Sequence, residues 1–257
     1  GSEMCIRDSF TAVPDEELPY LRSIFNVQLI GVVTWGLLFS ARQQLALSTI
    51  ASVIERSDKE LLKSGYEDGL AKAVKIGLAL VFGKLADRCN AFARWEPNVQ
   101  CSQQLYGRQA LGIVWDFGEL APLRDGAGSW SSLLNVWLAG LPNLTDGLLG
   151  ESNAGTAHAE QVDATKHHLP DDSTQLVVTD PPYYDAIPYA DLSDFFYVWL
   201  RHSLKPVFPE LFATLAVPKA EELVAFAYRH MTGKSGAEAF FLSGMTEAMH
   251  RIAEQAH

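Results

Sequence analysis

The chain has 257 residues, 48% of them hydrophobic, which is enough apolar material to bury the core of one large or two modest domains. Its formal net charge of −11 comes from 20 basic and 31 acidic residues, and the part after Gly150 is the more acidic. This balance excludes a surface that is basic throughout, so nucleic-acid binding would need a local basic patch, a further segment or a partner.

The chain is predicted to divide into three parts. Residues 1–9 have no apolar periodicity and are expected to be a non-native leader. Residues 10–150 are expected to form a mostly helical insertion or subdomain, and residues 151–257 part of a catalytic domain. The boundary is predicted within residues 141–155, which are rich in Gly, Pro, Asn and Asp and are typical of a linker.

Helical periodicity dominates the first part. Ser40 is a candidate N-cap, and apolar residues at near-helical spacing follow it as far as a stop at Gly65. We therefore predict an amphipathic helix between these two residues. Further helices are predicted over residues 66–92, 106–117 and 129–138.

The pattern changes to alternating strand and helix signals after the linker. Residues 175–179, Gln-Leu-Val-Val-Thr, form a β-branched apolar run with the length of a buried strand. A helix is predicted next, capped by Asp191 or Ser193 and terminated by Pro206, and its aromatic residues are expected to pack in the core. Residues 235–238 form a candidate capping box for a last helix. These signals predict an α/β fold.

The tetrapeptide Asp180-Pro181-Pro182-Tyr183 directly follows the predicted strand, where open α/β sheets place ligands and catalytic groups. Two consecutive prolines make a rigid, extended turn and leave backbone carbonyls free. The Asp180 carboxylate and the Pro181 carbonyl can accept the two hydrogens of a base amino group and so orient its lone pair. Tyr183 can stack on a base that has left the helix. An ordinary tight turn is the alternative.

The stretch over residues 169–200, which contains Asp-Pro-Pro-Tyr-Tyr-Asp, resembles the amino-methylating DNA methyltransferases of the adenine-specific type. Within that family it is similar to a subgroup of large, poorly characterised enzymes with a doubled tyrosine, some found near phage-defence systems. Weaker similarity covers residues 34–43 and 106–117. The resemblance implies a partial Rossmann-like methyltransferase sheet, S-adenosylmethionine as the methyl donor, and DNA as the substrate. It also implies that the modified base is adenine or cytosine.

The resemblance also implies roles for particular residues. The tetrapeptide is the catalytic motif, and Tyr184 and Asp185 are weaker candidates for positioning the substrate, with simple packing as the alternative. Asp163 and Ala164 match a preceding acidic position that approaches the cofactor adenine in such enzymes. An ordinary loop carboxylate is the alternative for Asp163.

One departure from the family limits these implications. The Phe-x-Gly-x-Gly loop that contacts the methionine part of the cofactor does not occur in the sequence, and residues 116–119 do not supply it. We therefore expect an internal fragment, whose missing parts or a partner complete the cofactor pocket and recognise the target. The rivals are a catalytically incomplete helical interaction module attached to a degenerate methyltransferase domain, and an enzyme acting on RNA or on a protein amide.

Other signals bear on metals, membranes and compartment. Cys5, Cys89 and Cys101 are odd in number and widely separated, which indicates neither a disulfide framework nor a zinc site. The three histidines between positions 158 and 168 lack partners at ligand spacing. The most apolar stretch, residues 24–39, is shorter than the roughly 20 residues that span a bilayer. We predict a cytoplasmic protein without metal or membrane segment.

Overall fold

The computed structural model describes residues 13–22, 24–107, 109–149, 158–166 and 169–256. The predicted leader and the histidines at 167 and 168 lie outside these ranges.

The chain divides into two compact units. The first takes in the described residues as far as 149 together with Leu192–Val217, and the second takes in those of Ser152–Asp191 and Pro218–His257. The first unit therefore includes a stretch that the sequence places in the catalytic part. The division falls inside a helix, between Asp191 and Leu192.

A pair of long helices, α1 (Ala41–Lys63) and α2 (Asp68–Arg88), forms much of the first unit. The predicted start of α1 is confirmed, because Ser40 and Gln43 form a reciprocal capping box through backbone and side chain. The helix ends beside Gly65, whose φ of 88° lies in the left-handed region that favours glycine. Both predicted boundaries follow from residues adjacent in sequence.

The helix predicted over residues 106–117 is wrong. Strands β3 (Tyr106–Gly107) and β4 (Ala110–Leu111) pair there as an antiparallel hairpin. Gln109 has a φ of 56°, which a right-handed helix does not accommodate. A second hairpin pairs β1 (Trp95–Glu96) with β2 (Cys101–Ser102). Non-local contacts decide the outcome, since Leu111 is buried and its N–H donates to the Ile24 carbonyl.

Helix α3 (Trp130–Leu149) begins where the sequence predicts but continues well past residue 138. The linker predicted from residue 141 is therefore wrong as far as Leu149, and the rest of it lies outside the described residues. Pro142 stands inside the helix, where it has no N–H to donate and its ring crowds the carbonyl four residues earlier. Gly77 of α2 provides close contact with this helix, because a Cβ there would lie 3.1 Å from the Trp137 indole nitrogen.

Helix α4 (Tyr189–Leu204) begins before both predicted capping residues and ends two residues before Pro206. Its aromatic side chains pack in the core, as predicted, with Phe195 and Trp199 almost completely buried. Trp199 meets Phe39 edge-on with ring centroids 5.5 Å apart, and Phe82 with centroids 5.2 Å apart. These aromatic contacts join residues far apart in sequence into one core.

Helix α5 (Lys234–Gln255) is the longest element of the second unit. The predicted capping box is wrong, because the N-cap is Gly233, two residues before Ser235. Ser235 then lies in the first turn, where its hydroxyl donates to the Thr232 carbonyl at 3.2 Å. The short 3-10 helix Ala227–Arg229 packs against α5.

Residues 175–179 are not a strand, and they are exposed rather than buried. Leu176 is 77% exposed and Val178 is 85% exposed. A strand requires a hydrogen-bonded neighbour, and the bridge nearby joins only Thr174 to Ala256. Within the described residues the fold is a mixture of helices and two small antiparallel sheets, and the predicted Rossmann-like sheet is not seen there.

No helix among the described residues has the length and hydrophobicity needed to cross a bilayer.

Candidate functional site

The predicted catalytic tetrapeptide forms an exposed loop before α4. Asp180, Pro181 and Tyr183 are exposed, and Pro182 is half-buried. The loop brings its two ends together, because the Tyr183 hydroxyl donates to Asp180 Oδ1 at 2.8 Å. This hydrogen bond and the negative charge of Asp180 raise the pKa of Tyr183 above its ordinary value. The tyrosine is therefore a neutral donor at physiological pH.

The second tyrosine of the doubled pair anchors the loop. Tyr184 has a φ of 58°, which is strained for a non-glycine residue, and its carbonyl accepts the Ala225 N–H at 2.9 Å. Its hydroxyl donates to Glu238 at 3.1 Å, and its ring meets Phe241 edge-on with centroids 5.1 Å apart. Both partners belong to α5. Asp185 follows as an exposed residue of the same turn.

A buried ion-pair network lies at the start of α4, immediately after the loop. Arg229 bonds Asp191 and Glu222 at 2.5 Å each, and its side chain is only 11% exposed. Glu222 also accepts the Ala190 N–H at 3.0 Å. Tyr228 donates to Asp191 at 2.8 Å. The network thus fixes the first turn of the helix that the loop enters.

The charge state of the network follows from competing effects. Burial by itself would lower the pKa of Arg229, but hydrogen bonds and attraction from Asp191 and Glu222 outweigh it, so the pKa is raised. Burial raises the pKa of Tyr228, and its bond to Asp191 raises it further. Arg229 therefore stays charged, and Tyr228 stays a neutral donor. Sequence reasoning missed Arg229, because its partner Asp191 stands 38 positions away and nothing local marks the pair.

Asp163, the candidate for contact with the cofactor, caps a short turn of its own. Its Oδ1 accepts the Thr165 hydroxyl at 2.7 Å and the Thr165 N–H at 2.9 Å, and Lys166 pairs with its other oxygen. The Thr165 hydroxyl is the main cause that lowers the pKa of Asp163 to about 2. Ala164 lies inside this turn. The described bonds of Asp163 stabilise local structure, and its contact with a cofactor stays a prediction.

Two of the surface cavities among the described residues are lined neither by the tetrapeptide nor by Asp163. One of about 480 Å³ runs along α5 between Leu242 and Glu254. The other, of about 270 Å³, lies near the start of α1 and includes Arg42 and Cys89. Burial raises the pKa of the Cys89 thiol to about 12, so it is a poor nucleophile. The described residues contain no cluster of three side chains suited to a metal ion.

The chain matches no protein-family model, no curated protein and no solved structure. The resemblance to amino-methylating enzymes therefore stays a prediction that depends on the residues quoted for it. The same holds for the S-adenosylmethionine cofactor, the DNA substrate, the link with phage defence and the cytoplasmic location.

Proposed function

We propose that this chain carries the amine-binding loop of an enzyme that methylates the exocyclic amino group of adenine or cytosine in DNA, with S-adenosylmethionine as the methyl donor. The observation that carries the proposal is the Asp180–Tyr183 loop itself. Its carboxylate is exposed to a ligand, while the residues after it are held at Tyr184 and at the start of α4. An accessible acceptor on a fixed support is what amine binding requires.

Each residue of the loop has a role in this proposal. The Asp180 carboxylate accepts one amine hydrogen, and the Pro181 carbonyl accepts the other. Pro182 restricts the backbone between these acceptors and Tyr183. The Tyr183 ring stacks on the flipped base. Tyr184 supports the loop, since its hydroxyl and its ring contact Glu238 and Phe241 of α5.

No group among the described residues is assigned to S-adenosylmethionine. The acid predicted to approach it, Asp163, has its oxygens engaged by Thr165 and Lys166, and neither cavity includes it. The glycine loop expected for the methionine part is absent from the sequence. We therefore assign to this chain only the binding and orientation of the amine.

The decisive experiment compares modified bases in host DNA for wild-type enzyme and the Asp180→Ala variant. We expect one class of N-methylated base to disappear in the variant, because no carboxylate then orients the amine. Asp171→Ala is the matched control, since Asp171 is an exposed acid of the same unit that lies outside the loop. Persistence of the modified base in Asp180→Ala would contradict the assignment.

The rival functions predict different ligands for the purified chain. The missing glycine loop favours an interaction module without catalysis. That rival predicts binding of neither S-adenosylmethionine nor adenosine, whereas our proposal requires at least adenosine binding that Asp180→Ala weakens. Competition between single-stranded DNA and RNA oligonucleotides of the same sequence tests the RNA alternative, for which RNA would compete better.

A further inference from the structure

The two adjacent tyrosines of the loop are held in opposite ways. Tyr184 is tied down through its carbonyl, its hydroxyl and its ring. Tyr183 is 52% exposed, and its carbonyl accepts the Ala186 N–H at 3.0 Å. The described contacts of its side chain are the hydrogen bond to Asp180 and an edge contact with Tyr189 at 6.4 Å between ring centroids. A side chain with so few attachments changes rotamer rapidly. One tyrosine is therefore part of the support, and the other is able to move.

The mobile tyrosine occupies the acceptor that the proposed reaction needs. Its hydroxyl lies 2.8 Å from Asp180 Oδ1, which is the distance at which an amine donor would lie. A base stacked on the ring also requires that ring to turn its face toward the base. While Tyr183 donates to Asp180, its hydroxyl occupies the acceptor and its ring keeps the orientation that this bond requires.

We propose that Tyr183 is a gate over Asp180, which an amine-bearing base opens by displacing the hydroxyl and stacking on the released ring. This inference rests on the proposed function and adds its regulation. No bond is made or broken covalently; one hydrogen-bond donor replaces another. The anchored Tyr184 keeps the turn in place while its neighbour rotates.

The gate has a consequence for specificity. A ligand opens the gate without a net loss of binding free energy only if it has a donor for the Asp180 carboxylate and a flat surface for the Tyr183 ring. Each of these replaces an interaction that Tyr183 gives up. An aliphatic amine lacks the surface, and a purine without an amino group lacks the donor. Adenosine has both, and purine riboside has the ring alone.

The first test concerns the internal bond and needs no ligand. Tyrosine ring ¹³C signals are titrated with pH in the wild type and in Asp180→Asn. The hydrogen bond to a carboxylate predicts a pKa of Tyr183 above the ordinary value in the wild type and a return toward it in the variant. An identical titration in both proteins would overturn the gate.

The second test measures adenosine affinity. Tyr183→Phe keeps the ring and removes the competing hydroxyl, so adenosine should bind about twofold to tenfold more tightly, the range for one net hydrogen bond. The affinity for purine riboside should change less than that for adenosine. Tyr66→Phe is the matched control, because Tyr66 is also 52% exposed and lies in the other unit. It should leave both affinities unchanged.

The outcomes separate the gate from the proposed function. If Asp180→Ala weakens adenosine binding and Tyr183→Phe leaves it unchanged or weaker, amine binding stands and the gate is wrong. If no variant binds adenosine while the Tyr183 titration still depends on Asp180, the internal bond exists but the proposed function fails, and the gate fails with it. If Tyr183→Phe binds adenosine more tightly and Tyr66→Phe does not, the gate and the proposed function are both supported.

Discussion

Replacing Arg229 by leucine should destabilise the second unit strongly. The substitution leaves the carboxylates of Asp191 and Glu222, which are 3% and 14% exposed, without the cation that each contacts at 2.5 Å. Removing one partner from a buried ion pair typically costs about 3–5 kcal/mol, because the remaining charge stays poorly solvated. With a urea dependence of about 2 kcal/mol per molar, the unfolding midpoint should fall by roughly 1.5–2.5 M.

The assay follows urea unfolding by far-UV circular dichroism and by tryptophan emission. All six tryptophans belong to the first unit, so their emission is an internal reference, and circular dichroism also reports α5 of the second unit. The dichroism midpoint should shift more than the emission midpoint. Protonation neutralises the carboxylates of Asp191 and Glu222, which have lost their cation. The folded variant should therefore bind protons more tightly than the unfolded chain. Its deficit relative to wild type should therefore grow as pH rises from about 4 to about 7.

Arg42→Leu is the control for this prediction. Arg42 also contacts a carboxylate at 2.5 Å, that of Glu119, but its side chain is 84% exposed and solvent already screens the pair. Its replacement should leave the midpoint almost unchanged. The reasoning on Arg229 is wrong if both variants lose the same small amount of stability, or if the deficit of Arg229→Leu does not depend on pH.

Two further predictions concern local structure. Ser40→Ala removes both the side-chain cap of α1 and a bond to Glu119, so it should cost about 1 kcal/mol of stability, measured by tryptophan emission in urea; no loss would show that the capping box contributes nothing. Thr165→Val should raise the pKa of Asp163 from about 2 toward its ordinary value, measured by carboxyl ¹³C NMR, because the Thr165 hydroxyl is the main cause of the lowering. Since the folded pKa is lowered, the Asp163 contribution is complete above about pH 4 and is lost as pH falls through about 2, and an unchanged pKa in the variant would contradict the assigned cause.

Features that depend on neighbouring residues could be predicted from the sequence. The start of α1 at Ser40 and its stop at Gly65 are both set within a few positions, by a capping box and by a left-handed glycine. The aromatic face of α4 was likewise readable, because residues at helical spacing share one side of a helix. Local capping does not decide every boundary, however, since Ser235 and Glu238 suit a capping box and the N-cap of α5 is Gly233.

Long-range contacts decide the conformation of two segments for which the local sequence predicts a different one. The segment at Tyr106–Leu111 carries apolar residues that suit a helix, yet it pairs as a hairpin against Ile24. Residues 175–179 have high strand propensity, but a strand exists only when a partner supplies its hydrogen bonds. No local pattern contains that partner.

The candidate site shows the same division. The sequence alone predicts that Asp180, the two prolines and Tyr183 bind an amine, because the prediction depends on four residues that are adjacent in the chain. Only the tertiary structure distinguished Tyr183, which donates a hydrogen bond to the Asp180 carboxylate, from Tyr184, which anchors the loop to α5. It also revealed Arg229, since ion pairs between distant residues form only when folding removes them from water and brings their charges together.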